Sequence, residues 1–399
     1  MRLLDRGANR SLVIALVAIS LLALSCVQPA QPPPTATPPP PPPAKPVATT
    51  APQPAKPAAE ATKPVAKDAA KPTPRSKDVA LAPLSPPVKV KYGNPGRDSA
   101  SAVYVALEKG YFKEQGLDLE LTPFDASGSV IPPLAAGQLD SANAAVTAAL
   151  FNAVARGISV SAVADSGRNA TGHEYNTLAV RRDVAERVKD FKDLKGLKIA
   201  IVSKNGPGYV QIAKALAKGG LSLKDADIVT MPFPDMLAAF ANKAIDAGIL
   251  SEPFATQGAE QGLFVNWKSA HPDFYPNHQV GVVMFAPNFT QRQPEAAKRF
   301  IIAYIKGIRA YVDGFDRNVG LDEIISILMK HTPLKDPAVY RKVRSPGFDR
   351  NGYIFTQHLI DDQNFYVEQG LIKPDERADV SKLVDNSYVE YALSILGKQ

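Results

Sequence analysis

The segment 203–209, SKNGPGY, offers the sharpest candidate chemistry in this sequence. It follows an apolar, strand-like run at 197–202 and precedes a helix-like run that stops at Gly219-Gly220. A loop so placed presents unpaired backbone N–H groups and the positive end of a helix dipole, which suits an anion or another acceptor. Gly206 and Gly208 would let the backbone approach a ligand closely. The loop lacks the Gly-Lys-Ser/Thr ending of a phosphate-binding loop and the spacing of a dinucleotide fingerprint. It reads as a ligand contact through Ser203, Lys204, Asn205, Gly206 and Tyr209, or as a plain strand–helix turn.

Other reactive residue types are sparse. Among the 5 histidines, His271 and His278 lie close together but between prolines, without the helical His-Glu-x-x-His context of a zinc site, so no metal is expected. No Ser-His-Asp order stands out, and the single cysteine, Cys26, lies at the end of an apolar leader, so neither a nucleophile nor a cofactor is expected. Two carboxylates recur in one phrase: AAGQLDS at 135–141 and ANKAIDA at 241–247. Asp140 and Asp246 read as turn and strand-start residues at the same place in two similar units, rather than as a catalytic pair.

The elements that would hold these residues alternate between strand and helix. VKVKYG and LDLELTPF alternate apolar and polar residues with a strand's period of two, whereas SASAVYVALEKGYFKEQG has mostly helical spacing. LDSAN, a helix-like AAVTAALFNAVARG and ISVSAVAD continue the series, and a second series runs from 191 to 253. Short connections between such elements imply an α/β fold around buried sheets. After about 281 the pattern turns helical. PEAAKRFIIAYIKGIRAYVDGF carries the stripe Phe300, Ile301, Tyr304, Ile305, Ile308 and Tyr311, and a last helix is expected to start at Asp379 and stop at Gly397.

The first 87 residues of the 399 are different. A basic flank at 1–10 and a short apolar stretch at 11–25 describe a secretory signal, too short for a membrane span. LALSC resembles the lipobox of bacterial lipoproteins, which implies lipidation of Cys26 as the mature N-terminus, although Ala23 and Leu24 stand in reverse of the usual order. Residues 27–87 hold 20 of the 36 prolines and are expected to form a disordered, semi-extended tether. Residues 1–25 carry three Arg against one Asp, and 27–87 seven Lys/Arg against three acids, so most of the net charge of +7 lies outside the body. The nearly neutral remainder leaves no basic stripe for nucleic acid.

VALEKGYFKEQGLDLEL, LAAGQLDSANAA and DLKGLKIAI, taken in order, resemble the substrate-binding proteins of ABC importers, in the group for nitrate, sulfonate, taurine and thiamine-pyrimidine precursors. The resemblance covers roughly 90–395. It implies a two-lobed type II periplasmic binding protein with a central ligand cleft and a helical C-terminal part. Lobe 1 would take 88–179 and 281–399 and lobe 2 would take 184–276, with crossings at TLAVRR and HQVGVVMF. It further implies a monomer that passes a small organic anion or zwitterion to a membrane permease and its ATPase. Eukaryotic pyrimidine synthases of thiamine biosynthesis share the fold as enzymes, but they carry a Cys-rich motif that this body lacks.

Ligands of open α/β sheets bind beyond the carboxyl ends of the strands. Those places hold Ser99, Ser101, Ser127, Gly128, Ser129, Asn143, Thr147, Asp165 and Arg168 in lobe 1, and the SKNGPGY loop, Phe233 and SEP at 251–253 in lobe 2. Glu252 stands where the resemblance implies a cleft residue. Arg168 and Lys204 would favour an anion, whereas Glu252, Asp125 and Asp165 would favour a ligand with a donor face. The serines are equally suited to capping helices.

Overall fold

The computed structural model describes residues 81–399, except residues 95, 97 and 125–128. The expected signal, Cys26, the tether as far as 80, and the candidates Asp125, Ser127 and Gly128 lie outside the described residues. Along the chain the strands are β1 (Val88–Asn94), β2 (Leu117–Pro123), β3 (Ser141–Ala145), β4 (Ser161–Asp165), β5 (Asn176–Arg181), β6 (Lys198–Ile201), β7 (Asp227–Thr230), β8 (Ala247–Ser251), β9 (Phe264–Ser269) and β10 (Gly281–Phe285). They form two sheets, ordered β2-β1-β3-β10-β4 and β7-β6-β8-β5-β9.

The two sheets are built alike. Each begins with parallel strands, β1 with β2 and β3, and β6 with β7 and β8. Each then receives one antiparallel strand that the chain supplies from its far side. β10 enters between β3 and β4, and β5 enters between β8 and β9. The chain therefore crosses twice between the sheets, once before β5 and once before β10. Residues 176–179, expected in lobe 1, belong to the second sheet because they pair with β8 and β9.

The patterns that predicted the elements are those that bury them. In β1, Val90 and Tyr92 are buried while Lys89 and Lys91 are exposed. β3 has small residues, almost all buried, as befits a central strand covered on both faces. The long helix Pro294–Arg317 buries its whole expected stripe, from Phe300 to Tyr311, against the first sheet and the helix Ser101–Glu108. Gly307 permits that crossing: a Cβ there would lie 2.2 Å from the Ala102 carbonyl oxygen.

Two expectations change. The tether was expected to run to 87, but Leu81 and Leu84 pack on the core, Leu84 N–H donates to the Gln115 carbonyl (3.3 Å), and Arg299 donates to the Ala82 carbonyl (2.6 Å). The single helix expected from Asp379 is two helices, Val380–Leu383 and Ser387–Leu396. Between them the chain extends, Val384 bridges to Ala162 of the edge strand β4, and Asp385 N–H donates to the Ala162 carbonyl (2.9 Å).

Candidate functional site

A cavity of about 440 Å³ lies where the carboxyl ends of the parallel strands of both sheets meet. The first sheet and the segments that follow its strands line it with Ser99, Ser129, Asn143 and Thr147; the second sheet and the segments that follow its strands line it with Ser203, Asn205, Gly206, Gln211 and Ser251. The crossing segments add Tyr175, Asn176, Val280 and Gly281. Phe233, Ile249 and Val202 give it apolar surface, and among the described residues no charged side chain lines it.

Ser99 and Asn143 are locked together at one wall. Asn143 Nδ2 donates to the Ser99 carbonyl (3.0 Å) and to Ser166 Oγ, and Ser166 Oγ donates to the same carbonyl (2.8 Å). Thr147 caps the helix Ala148–Ala155, its Oγ1 accepting from Leu150 N–H (3.3 Å). The first N–H of a helix has no intrahelical acceptor. Here Ala148 N–H finds one across the cleft, the carbonyl of Asn205 (3.0 Å). That bond clasps the two walls together over the cavity.

The crossing segments behind the cavity form an antiparallel ribbon. Asn169 N–H donates to the His278 carbonyl (3.0 Å), Val280 N–H to the Gly167 carbonyl (3.0 Å), and Ser166 N–H to the Gly281 carbonyl (3.1 Å). Asp165 anchors it from below. Its carboxyl accepts from Gln279 Nε2 (2.7 Å), Gly167 N–H (2.9 Å) and Asp349 N–H (2.7 Å). Burial pushes its pKa up, against the pull of Arg168 and those donors.

A second cavity, about 810 Å³, adjoins the first and shares Tyr175 and Phe233 with it. Glu252, Phe254 and Gln257 line one side and 332–336 the other.

The sequence profile described as "NMT1/THI5 like" matches residues 99–314, more than half of the chain. The chain belongs to that family. A Brucella abortus (strain 2308) protein, provisionally named as a binding protein, is 29% identical over 202 residues, which cover 50% of this chain and 60% of that protein. The chain thus spans less than two thirds of the curated relatives it matches. The alkanesulfonate-binding protein SsuA from Xanthomonas axonopodis pv. citri, solved bound to MOPS, superposes with a TM-score of 0.59 at 17% identity, over 76% of this chain and 99% of its own. The periplasmic nitrate-binding protein NrtA from Synechocystis PCC 6803 gives 0.63 at 18% identity, over 78% and 89%. These two fix the fold as that of periplasmic binding proteins.

In this NMT1/THI5-like chain the cavity gathers Ser99, Ser129, Asn143, Thr147, Ser203, Asn205, Gly206 and Phe233 from the residues expected at a site. Several others lie elsewhere. Ser101 is fully buried in the helix Ser101–Glu108. Arg168 pairs with Asp349 (3.6 Å), and Asp165 is spent on the ribbon, so neither faces the cavity. Lys204 is exposed and lines neither cavity. Tyr209 turns its ring edge-on to Phe365 at 5.3 Å. Glu252 reaches the adjoining cavity, but its carboxyl accepts from Thr256 N–H (3.0 Å), Thr256 Oγ1 (2.9 Å) and Arg344 N–H (3.3 Å). Burial pushes its pKa up.

Sequence reasoning missed Asn176 and Gln211 on the cavity wall, whereas Ser251 lies there at the start of the 251–253 strand end expected to face a ligand. Gln211 was findable: it is a polar residue in the buried stripe of the helix Pro207–Lys218, between Val210 and Ile212. A polar group in such a stripe needs a partner. Asn176 carries no comparable signal, because it reaches Ser251 only through the pairing of β5 with β8.

Proposed function

We propose that this chain is an extracytoplasmic substrate-binding protein of an ABC importer. It captures a small polar organic solute between its two lobes and delivers it to a membrane permease with its ATPase. The observation that carries this reading is the cavity itself. It is walled by both sheets, has the size of a small-molecule site, and sits at the strand ends where α/β folds bind ligands. The two crossing segments make a natural hinge about which the lobes open and close.

The solute is held by neutral hydrogen-bonding groups rather than by an ion pair, because Arg168 is engaged with Asp349 and Lys204 lines neither cavity. A taurine-like zwitterion or an organic sulfonate fits this wall through its polar atoms. Tyr175 and Phe233 favour a second reading, a planar ring such as a vitamin or its precursor, since aromatic side chains stack on such rings. The protein acts as a monomer without cofactor and performs no chemistry on its ligand. Cys26 carries the lipid that holds it to the membrane.

Mass spectrometry of solute released from the natively purified protein tests this reading. One small molecule recovered in stoichiometric amount, and rebound unchanged, is the expected result. Recovery of none, together with no binding by any small solute, contradicts it. Loss of membrane retention on Cys26→Ser tests the anchor separately.

A further inference from the structure

Behind the cavity a buried chain of polar side chains has its direction fixed from both ends. Asn176 N–H, a backbone group that can only donate, donates to Asn169 Oδ1 (2.8 Å). That sets the Asn169 amide, so its Nδ2 donates to Asn176 Oδ1 (3.0 Å). Asn176 Nδ2 is thereby turned to Ser251 Oγ (2.7 Å). Asn176 Oδ1, now fixed as an acceptor, takes one proton of Gln211 Nε2 (3.1 Å). The other proton of Gln211 Nε2 faces His278 Nδ1 (3.0 Å). From the far end, Asp362 accepts from Tyr275 Oη through Oδ1 (2.8 Å) and from His278 Nε2 through Oδ2 (3.0 Å). A carboxylate partner puts the His278 proton on Nε2 and leaves Nδ1 as the acceptor that Gln211 needs. Gln211, His278 and Asp362 are each fully buried.

Both protons of the Gln211 amide are therefore committed, and its Oε1 cannot exchange places with Nε2. Yet Gln211 Oε1 is buried without a hydrogen-bond partner, and Gln211 lines the cavity. A buried acceptor left empty is costly, and a ligand that fills it is strongly preferred over one that cannot.

We infer that Gln211 is the specificity-determining acceptor of the cleft, and that it selects ligands carrying an N–H or O–H donor. His278 and Asp362 are positioning residues that hold its amide in one orientation. This inference rests on the reading of the cleft as a solute site and narrows the class of solute.

The test uses the full chain and matched probes: taurine against N,N,N-trimethyltaurine, glycine against betaine, and uracil against 1,3-dimethyluracil, with nitrate and ethanesulfonate as solutes without an N–H donor. A donor-bearing member is expected to raise the melting temperature and to bind at least about tenfold more tightly than its methylated counterpart. Gln211→Met is expected to bring that ratio close to one. A ratio that Gln211→Met leaves unchanged overturns the inference, as does binding of nitrate or ethanesulfonate with no donor-bearing probe bound; both outcomes leave the cleft a solute site. Binding by no solute of any kind overturns both readings. Independently of any ligand or variant, ¹⁵N NMR of histidine-labelled protein is expected to show the His278 proton on Nε2 and Nδ1 as an acceptor. A proton on Nδ1 removes the fixed acceptor and overturns the inference.

Discussion

Asp246 and Lys198 exchange two hydrogen bonds: Lys198 N–H donates to Asp246 Oδ2 (3.0 Å) and Asp246 N–H to the Lys198 carbonyl (2.8 Å). Asp140 and Lys91 do the same in the other sheet, both at 2.9 Å. Each aspartate ties the start of the third strand in its unit to the first, and its carbonyl accepts from the chain at the end of the inserted antiparallel strand, Arg181 or Ala286. The phrase that recurs in the sequence thus marks one joint made twice, on the sheet ends opposite the cavity. Asp140→Ala and Asp246→Ala are each expected to cost about 1 kcal/mol of stability. Denaturant unfolding reads the loss, and ligand affinity should stay unchanged. A fall in affinity with stability intact would return these carboxylates to the site.

The clasp between Ala148 and Asn205 lends itself to a clean substitution. Ala148 is the first residue of its helix, where proline is tolerated, and Thr147 before it is already extended (φ −126°, ψ 158°). Ala148→Pro removes the donor without breaking the helix. It should weaken ligand binding by several-fold, about 1 kcal/mol, and raise the radius of gyration of the unliganded protein. Unchanged values for both would show that the bond plays no part in closure.

Gly307 sets how closely the helix Pro294–Arg317 crosses Ser101–Glu108. A methyl group there meets the Ala102 carbonyl at 2.2 Å and Ala106 Cβ at 2.8 Å. Gly307→Ala should destabilise by about 1–3 kcal/mol, since overpacking outweighs the helix-propensity gain. A melting temperature equal to that of the parent would contradict the crossing.

His358 gives a pH dependence with a definite sign. Desolvation by burial lowers its pKa to about 4. Between that value and the ordinary 6.5 the unfolded chain binds a proton that the folded chain refuses. Stability from this group is therefore full above about 6.5 and falls as pH drops toward 4. Asp165 and Glu252, raised by burial, contribute with the opposite sign, so the effect is read as a difference. The stability of the parent relative to His358→Gln should rise with pH across 4 to 6.5 and level off above. A constant difference over that window would contradict it.

Much of this was legible locally. Strand alternation, the buried stripe from Phe300 to Tyr311 and the strand-end position of the SKNGPGY loop are all short-range signals. They located lining residues of the cavity. What failed was direction and partnership. Arg168 and Lys204 sit in the right loops, but whether a cation faces a cleft depends on Asp349, 181 positions away from Arg168, and on how the loop turns. The chain from Asn169 to Asp362 was invisible for the same reason. It assembles residues from both crossings and from the helices Pro207–Lys218 and Thr356–Glu368, and His278 alone gave no hint that its partners were Gln211 and Asp362.

The central claim is reversible capture of a small solute by closure of two lobes. It is tested most directly by thermal unfolding of the protein across a panel of sulfonates, zwitterions and small heterocycles, with the solute recovered afterwards. The account predicts a saturable rise in melting temperature with at least one solute, corresponding to about 2.7 kcal/mol at a hundredfold excess over Kd, and full recovery of that solute unchanged. No rise with any solute, or a rise accompanied by conversion of the solute into product, would contradict it.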